Sequence, residues 1–246
     1  MHRYQILIEY LGTNFIGWQI QKKGQSVQNL IQNKIFKLLK EKINLVGSGR
    51  TDSGVHAIEQ SAHFECKKKI DNLDKFLKSI NYFLNLKFIS ITSIKKRNSN
   101  FHARFSAKQR IYKYIIFNRV SVPSIYKNRG WHIRKKLDLK LMKKGTQKLL
   151  GTNDYSTFRA SSCNAKNPVR TIKSIRIKKI KDRIEIQFKS QSFLQQQVRS
   201  MVGCLKYLAE NKWNLKKFEK AFKSKKRTLC APPAPAHGLF LEKVIY

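Results

Sequence analysis

The sequence predicts an α+β fold built from two similar halves, residues 1–105 and 106–246. Short segments in which apolar and polar residues alternate have the period of a half-buried strand, whereas segments with apolar residues every three or four positions have the period of a helix. The order strand–helix–strand–helix–strand then occurs twice along the chain, although no sequence repeat accompanies it. That recurrence is typical of an α+β protein with two related halves.

The N-terminal half begins with a predicted strand at 3–10, in which Ile6, Ile8 and Tyr10 alternate with other residues. A helix is predicted at 27–40, with apolar residues on one face and Ser26 placed to cap its first turn. A strand at 55–66, a helix capped by Asp71 that ends near residue 84, and a strand at 88–94 complete this half.

The C-terminal half begins with a predicted strand at 110–118, where Tyr112, Tyr114 and Ile116 share one face. A helix at 139–150 is closed by Gly151, and residues 151–168 are predicted to form a long polar loop. The remaining predictions are a hairpin with strands at 169–180 and 183–188, helices at 193–210 and 215–222, a proline-rich break and a final strand at 238–246.

The charge is strongly positive, with 52 Lys and Arg against 14 Asp and Glu, a formal net charge of +38. Such a surplus favours a polyanionic partner, because each neutralised phosphate releases condensed counterions. The abundance of Lys, Ile and Asn also fits an AT-rich genome, which would inflate the positive charge without explaining the shortage of acids. The charge therefore indicates nucleic acid but does not separate an enzyme from a binding protein.

The four cysteines, Cys66, Cys163, Cys204 and Cys230, contain no C-x-x-C pair, so neither a zinc site nor a disulfide framework is expected. No apolar run approaches the roughly 20 residues that span a bilayer, and no signal peptide is recognisable. We expect a cytoplasmic protein that uses no metal.

The segment Gly49-Arg50-Thr51-Asp52-Ser53-Gly54 places a carboxylate in a tight turn beside a guanidinium and two hydroxyls. It is not a dinucleotide-binding loop, because Gly-x-Gly-x-x-Gly would need glycine at position 52, and no phosphate-binding Gly-Lys-Ser/Thr loop occurs. Taken alone, it favours an ordinary turn in which Asp52 bonds its own backbone. A catalytic role for Asp52 needs support from the rest of the chain.

Three further segments combine cations with aromatic residues, an arrangement that can stack unpaired bases and contact phosphates. They supply the predicted RNA contacts Arg104 and Arg110, with Tyr112 on the same strand as Arg110, and Arg159 and Lys166 in the polar loop. Each segment alone also fits a plainer structure, such as a half-buried strand with Lys on its wet face. Arg199, beside the apolar stripe of the 193–210 helix, could likewise be a surface residue.

Taken together and in order, these segments closely resemble the bacterial tRNA pseudouridine synthase A (TruA) family from the first strand to the last. The resemblance rests on Tyr10-Leu11-Gly12-Thr13, Gly17-Trp18-Gln19, Arg50-Thr51-Asp52-Ser53-Gly54-Val55-His56-Ala57, Phe101-His102-Ala103-Arg104-Phe105-Ser106-Ala107, Arg110-x-Tyr112-x-Tyr114, Ser156-x-Phe158-Arg159-Ala160, Ser192-Phe193-Leu194, Val198-Arg199 and Ala234-Pro235-Ala236-His237-Gly238-Leu239-Phe240-Leu241.

The resemblance implies a pseudouridine synthase fold, with the two halves forming a central, mostly antiparallel sheet and a basic cleft. It implies isomerisation of uridine to pseudouridine at positions 38, 39 and 40 of the tRNA anticodon stem-loop, by a homodimer that needs no cofactor. Asp52 matches the catalytic aspartate, which would serve as the nucleophile, and Arg50 its neighbour in the motif. Tyr112 matches the tyrosine that stacks on the base, Arg199 the partner of the aspartate, and Leu239 the apolar residue near the base.

The chemistry suits these roles, because the implied reaction breaks the N1–C1′ bond, turns the uracil and joins C5 to C1′ without redox change. A carboxylate must be ionised to act as nucleophile or base. Burial raises the pKa of a carboxyl and an adjacent guanidinium opposes that rise, so Arg199 is the expected partner of Asp52. Attack on C1′, attack on the base and removal of a ribose proton all stay open for Asp52.

The sequence departs from the family pattern at Leu11, where Asp is usual, at Gln195-Gln196-Gln197 and at Ser200, where Asn is usual. These changes lie beside the predicted site and could alter tRNA contacts or rate. Two other functions are open alternatives: a non-catalytic RNA-binding or ribosome-associated protein, and a related synthase with another target position.

Overall fold

The computed structural model describes the whole chain, Met1–Tyr246, which divides into two compact units. The first contains Met1–Lys108 together with Phe240–Tyr246, and the second contains Gln109–Leu239. The last strand is counted with the first unit because it pairs there: Phe240 lies opposite His56 in parallel register. The sequence placed that strand with the C-terminal half, and its division into domains at residues 105 and 106 stays a prediction.

The helices and strands follow the chain in the order β1 (His2–Tyr10), α1 (Val27–Leu39), β2 (Val46–Gly47), β3 (His56–Cys66), α2 (Leu73–Leu84), β4 (Ile89–Arg97), β5 (Gln109–Asn118), β6 (Trp131–Ile133), α3 (Leu139–Gln147), β7 (Gly151–Asp154), β8 (Val169–Ile180), β9 (Arg183–Ser190), α4 (Gln197–Ala209), α5 (Leu215–Lys223) and β10 (Leu239–Ile245). Helices accompany mostly antiparallel strand pairs, so the α+β prediction is confirmed. None of the helices combines the length and apolarity needed to cross a membrane.

The first unit contains strands in the order β4-β1-β3-β10, with β2 added to β3. Alternation along β1 buries Ile6 and Ile8 almost completely, as the sequence predicts. Ser26 caps α1, since its Oγ accepts a hydrogen bond of 3.2 Å from the backbone N of Asn29. The predicted cap of α2 was wrong by one position: Asn72, not Asp71, accepts from a backbone N of the first turn.

The second unit contains strands in the order β5-β9-β8-β7, with β6 added to β5. Tyr112 lies opposite Phe188 and Tyr114 opposite Ile186 in the antiparallel register of β5 and β9. This register carries Tyr112 and Tyr114 on one face of β5, in agreement with the predicted alternation.

Two predictions in the second unit were wrong. Residues 151–168 are not a plain loop: β7 pairs with β8, and the turn after it buries Tyr155 and Phe158. The fourth helix begins at Gln197 instead of 193, because Gln196 adopts a left-handed conformation with φ of 59°. The Gln197 side chain then accepts a 2.8 Å hydrogen bond from the backbone N of Leu194, which fixes the turn before the helix.

Candidate active site

The Asp52 loop connects β2 to β3 and is anchored at its start by buried polar side chains. Gln60 of β3 donates through Nε2 to the carbonyl of Gly49 at 2.9 Å and accepts from the hydroxyl of Ser48 at 2.7 Å. At the other end, the backbone N of Val55 donates to the carbonyl of Asp52 at 3.1 Å, and Gly54 has a φ of 78°. Asp52 therefore opens a tight turn whose two ends are both fixed.

The segment between β1 and α1 braces the same loop from the side. The backbone N of Trp18 donates to the carbonyl of Thr51 at 3.1 Å, and the hydroxyls of Tyr10 and Thr51 lie 2.7 Å apart. The hydroxyl of Ser53 donates to the carbonyl of Phe15 at 3.1 Å. The motifs around Gly12 and Gly17, for which the sequence offered no role, thus belong to the segment that positions the residues on both sides of Asp52.

Two glycines allow this close approach. A Cβ on Gly17, whose φ is +111°, would lie 2.6 Å from the carbonyl oxygen of Thr51. A Cβ on Gly12 would lie 1.9 Å from the carbonyl oxygen of Val55, and the Gly12 backbone N donates to Nδ1 of His56 at 2.9 Å. Only glycine fits where two backbones meet at such distances.

The departure at Leu11 falls on this brace. Leu11 precedes the short turn Gly12–Asn14 and gives it no side-chain cap, whereas an aspartate could accept a hydrogen bond there. Its backbone N donates to the carbonyl of Phe88 at 3.0 Å. The turn is therefore held through backbone bonds and His56 without the acid that is usual in the family.

Within the loop, Thr51 points inward and is buried, while Asp52 is half-buried and Arg50 is exposed. This alternation leaves a carboxylate and a guanidinium on the accessible side of a loop whose backbone is fixed. Arg104, also in the first unit, is exposed and its guanidinium lies 5.5 Å from the ring centre of Phe105. Phe105 is 75% exposed and packs against His102, with 4.4 Å between the ring centres and 30° between the planes. Two aromatic rings therefore lie beside the guanidinium of Arg104.

In the second unit, Tyr112 lies on β5 and is 8% exposed. Its ring contacts Phe193 edge to face, with 5.2 Å between centres and 88° between planes. Arg110, two residues earlier, is buried and donates to the carbonyl of Gln191. The loop after β9 is thereby held against the strand that carries Tyr112.

Arg199 is half-buried in α4 and is tied by two hydrogen bonds to the proline-rich segment, residues 230–238. Its Nε donates to the carbonyl of Ala234 at 2.8 Å, and its own carbonyl accepts from the backbone N of Ala234 at 3.0 Å. The same segment is fixed to β5, because the hydroxyl of Tyr114 donates to the carbonyl of Pro235 at 2.9 Å. Burial raises the pKa of Tyr114 well above its usual value, and the charge of Arg199 opposes that rise.

Tyr114, Ala234 and Pro235 are positioning residues that sequence reasoning missed. They lie in the two segments that supplied Tyr112 and Leu239, so the segments were noticed without a role for these members. Leu239 itself is buried at the start of β10.

The predicted site residues divide between the two units. Asp52, Arg50 and Arg104 lie in the first unit, whereas Tyr112, Arg110, Arg199, Arg159, Lys166 and Leu239 lie in the second. Within the second unit the bonds of Arg199 and Tyr114 converge on 234–235. Arg159 and Lys166 lie on the separate 159–168 segment, where Arg159 is half-buried and donates to the carbonyl of Ala165 at 3.3 Å and Lys166 is exposed.

The remaining departures in α4 serve its packing. Gln197 is fully buried and closes the preceding turn, and Ser200 accepts a 2.8 Å hydrogen bond from Nη1 of Arg227. Gln197 lies two residues before Arg199 and Ser200 directly after it, so polar contacts on both sides set the helix turn that presents this guanidinium.

Comparisons with known proteins identify the family. A family described as tRNA pseudouridine synthase matches residues 6–106 and 146–246. Over 246 residues, covering all of both chains, the sequence is 75% identical to a tRNA pseudouridine synthase A of Pelagibacter ubique (strain HTCC1062). It is 38% identical, again over all of both chains, to a tRNA pseudouridine synthase A of Parvibaculum lavamentivorans.

Proposed function

The chain belongs to the tRNA pseudouridine synthase A family, and from that premise we propose that it isomerises uridine to pseudouridine at positions 38, 39 and 40 of the tRNA anticodon stem-loop, with Asp52 as the catalytic carboxylate. The protein is a tRNA pseudouridine synthase and so an isomerase. The observation that carries the assignment of Asp52 is its loop, whose backbone is fixed at both ends and braced at Thr51 while Asp52 stays half-buried. The target positions rest on the family resemblance.

Preorganisation is the physical reason for that choice. A reacting group that folding already holds near its reacting position loses little further conformational entropy in the transition state, so the reaction is faster. A catalytic carboxylate is therefore expected on a loop that the fold has fixed. The bonds at Gly49, Thr51 and Val55 fix this loop through its backbone. Asp52 would act on the ribose or base of the target uridine, as nucleophile or base, in its ionised form.

The other roles follow from the second unit. Tyr112 would stack on the detached uracil so that the base turns without diffusing away, and Phe193 holds the tyrosine ring from its edge. Arg199, anchored to Ala234, would keep the carboxylate charged. Leu239 would pack near the base as a buried apolar neighbour.

Recognition of the anticodon stem-loop would combine charge with stacking. The target uridine must leave its stack at a cost of a few kcal/mol, and Arg50, exposed beside Asp52, could fill the vacated space or bind phosphate. Arg104, Arg110, Arg159 and Lys166 are the further contacts we propose, within a basic cleft formed by a homodimer. We place the reaction in the cytoplasm, where an enzyme with a net charge of +38 meets tRNA directly.

A non-catalytic RNA-binding protein is disfavoured because the chain belongs to a family of synthases. The alternative that needs an experiment is a synthase acting at another position. Unmodified tRNA with uridines at 38–40 and elsewhere would be incubated with the protein, and pseudouridine mapped chemically at single-nucleotide resolution. Product at 38, 39 or 40 is expected; product only at other positions would overturn the specificity.

The role of Asp52 is tested by Asp52→Asn, which keeps the shape and removes the charge. We expect no pseudouridine while tRNA still binds, and binding should weaken steeply as salt rises. Asp71→Asn is the matched control, since it removes an exposed charge from the same unit. Full activity of Asp52→Asn would refute the assignment, and an equal loss in Asp71→Asn would trace the effect to charge alone.

A further inference from the structure

Two cysteines far apart in sequence meet where the proline-rich segment crosses α4. The sulfurs of Cys204 and Cys230 lie 3.5 Å apart, in contact but unbonded. Cys204 is buried within the helix, and Cys230 is partly accessible. The backbone N of Ala231 donates to the sulfur of Cys204 at 3.4 Å, so the segment is already held against this side chain.

The same crossing carries the bonds that hold Arg199. Five residues before Cys204, Arg199 exchanges two hydrogen bonds with Ala234. Between these contacts a Cβ on Gly203 would lie 2.1 Å from the carbonyl oxygen of Pro232, so backbone meets backbone there. Pro232 already contacts the backbone of α4 and cannot move closer to the helix. If Cys230 moves towards α4, we therefore expect the residues that follow Pro232, including Ala234, to shift.

The two thiols differ in a way that suits a reaction between them. Hydrogen bonding from Cys204, together with the charge of Arg227, lowers the pKa of Cys230. The contact with Cys230 and burial raise the pKa of Cys204, which stays protonated. The thiolate is the nucleophilic form of cysteine, so the accessible member of the pair is also the more reactive one.

We propose that Cys204 and Cys230 form a peroxide-sensitive modification site whose disulfide slows the synthase reaction. The Cys230 thiolate attacks one oxygen of hydrogen peroxide, breaks the O–O bond and becomes a sulfenic acid as hydroxide leaves. The sulfur of Cys204 then displaces the hydroxyl group from that sulfenic acid, loses its proton and forms the S–S bond. In sum, two thiols and one peroxide give one disulfide and two waters.

Forming the disulfide strains the crossing, because a disulfide bond is about 2.05 Å long and the sulfurs start 3.5 Å apart. Rotation of the two side chains closes part of that gap, and we expect the rest to displace the segment. A displacement approaching 1 Å can cost an active site about 100-fold in rate. The effect on rate rests on the proposed role of Arg199, whereas formation of the bond does not.

The test uses the full-length reduced protein, exposed to increasing hydrogen peroxide. Free thiols are then alkylated, intact mass and cross-linked peptides are measured, and turnover on unmodified tRNA is followed in parallel. We expect loss of two hydrogen atoms, a Cys204–Cys230 peptide as the main product, and a fall in turnover of about tenfold or more that dithiothreitol reverses.

The chain offers matched controls. Cys230→Ser should keep its turnover in peroxide, whereas Cys163→Ser, on the separate 159–168 segment, should be inhibited like the parent protein. Burial raises the pKa of Cys66 to about 11, so Cys66 should react last. Oxidation of Cys163 or Cys66 before the pair, or a complete disulfide with unchanged turnover, would overturn the proposal. Because the cross-link is read by mass, it tests the cysteine pair whichever uridines the enzyme modifies.

Discussion

Replacing Gly17 with alanine should misplace the Asp52 loop without touching Asp52. The new Cβ would lie 2.6 Å from the carbonyl oxygen of Thr51, whereas ordinary contact begins near 3.4 Å. The two backbones must therefore separate by about 0.8 Å, which also strains the bond from Trp18 to Thr51. Displacement approaching 1 Å next to a reacting group costs up to about 100-fold in rate, so we expect turnover to fall roughly 10- to 100-fold.

A second cost of Gly17→Ala is conformational, since φ of +111° is unfavourable for alanine and costs about 1–3 kcal/mol of stability. Gly151→Ala separates the two costs. Gly151 also has a positive φ, +87°, but the nearest atom to its added Cβ is a side-chain nitrogen 4.0 Å away.

The assay is single-turnover formation of pseudouridine at saturating enzyme, run beside urea unfolding of both variants. Gly151→Ala should lose stability and keep its rate, whereas Gly17→Ala should lose both. Equal rates in the two variants would show that the brace around Thr51 does not position the catalytic group.

Three further predictions concern stability. Tyr114→Phe leaves the Pro235 carbonyl without its 2.9 Å hydrogen bond, so urea unfolding should show a loss of about 1–3 kcal/mol; an unchanged midpoint would argue against that bond. Burial lowers the pKa of His63 to about 4, and its Nδ1 accepts from the backbone N of Ala103. Because the pKa of His63 is higher in the unfolded chain, lowering the pH from 6.5 towards 4 protonates the unfolded chain before the folded protein. The free energy of unfolding should therefore fall over this range, and should fall less in His63→Gln. Parallel curves of stability against pH for the two proteins would contradict this. Ser26→Ala removes the cap of α1 and should cost about 1 kcal/mol, which thermal unfolding can measure.

The predictions that succeeded depend on local periodicity. The spacing of apolar residues predicts helix α1 and strand β5, and Ser26 is an ordinary capping residue. The positions of these elements therefore follow from residues close together in sequence. The α2 cap failed because Asp71 and Asn72 are adjacent and both suit the position. The start of α4 failed because it depends on the left-handed conformation of Gln196 and a side-chain bond of Gln197, which no periodicity reveals.

Residues 151–168 show a different limit. The segment is polar in composition, yet Tyr155 and Phe158 are buried, and the hydroxyl of Tyr155 donates to the carbonyl of Leu149 at 2.6 Å. Strand β7 exists only because β8 supplies its partner. Pairing and burial of this kind depend on residues distant in sequence, so a local polar pattern was misleading.

The same distinction applies to the candidate site. Asp52 could be selected from the order of motifs, but nothing in the sequence indicates that Trp18 and Gln60 donate to carbonyls of its loop, or that Gly17 lets the two backbones approach. The acceptors are backbone carbonyls, which every residue has. The Gly17-Trp18 motif was therefore noticed without a role.

The brace suggests why this loop can carry a reactive group. Its backbone is supported through the carbonyls of Gly49, Thr51 and Asp52 and the hydroxyls of Ser48 and Thr51. The fold thus fixes the backbone on both sides of Asp52. We expect Asp52→Asn to keep these bonds, which a circular dichroism spectrum and an unchanged urea midpoint would check. Loss of product with retained folding in Asp52→Asn would then report on the chemistry itself.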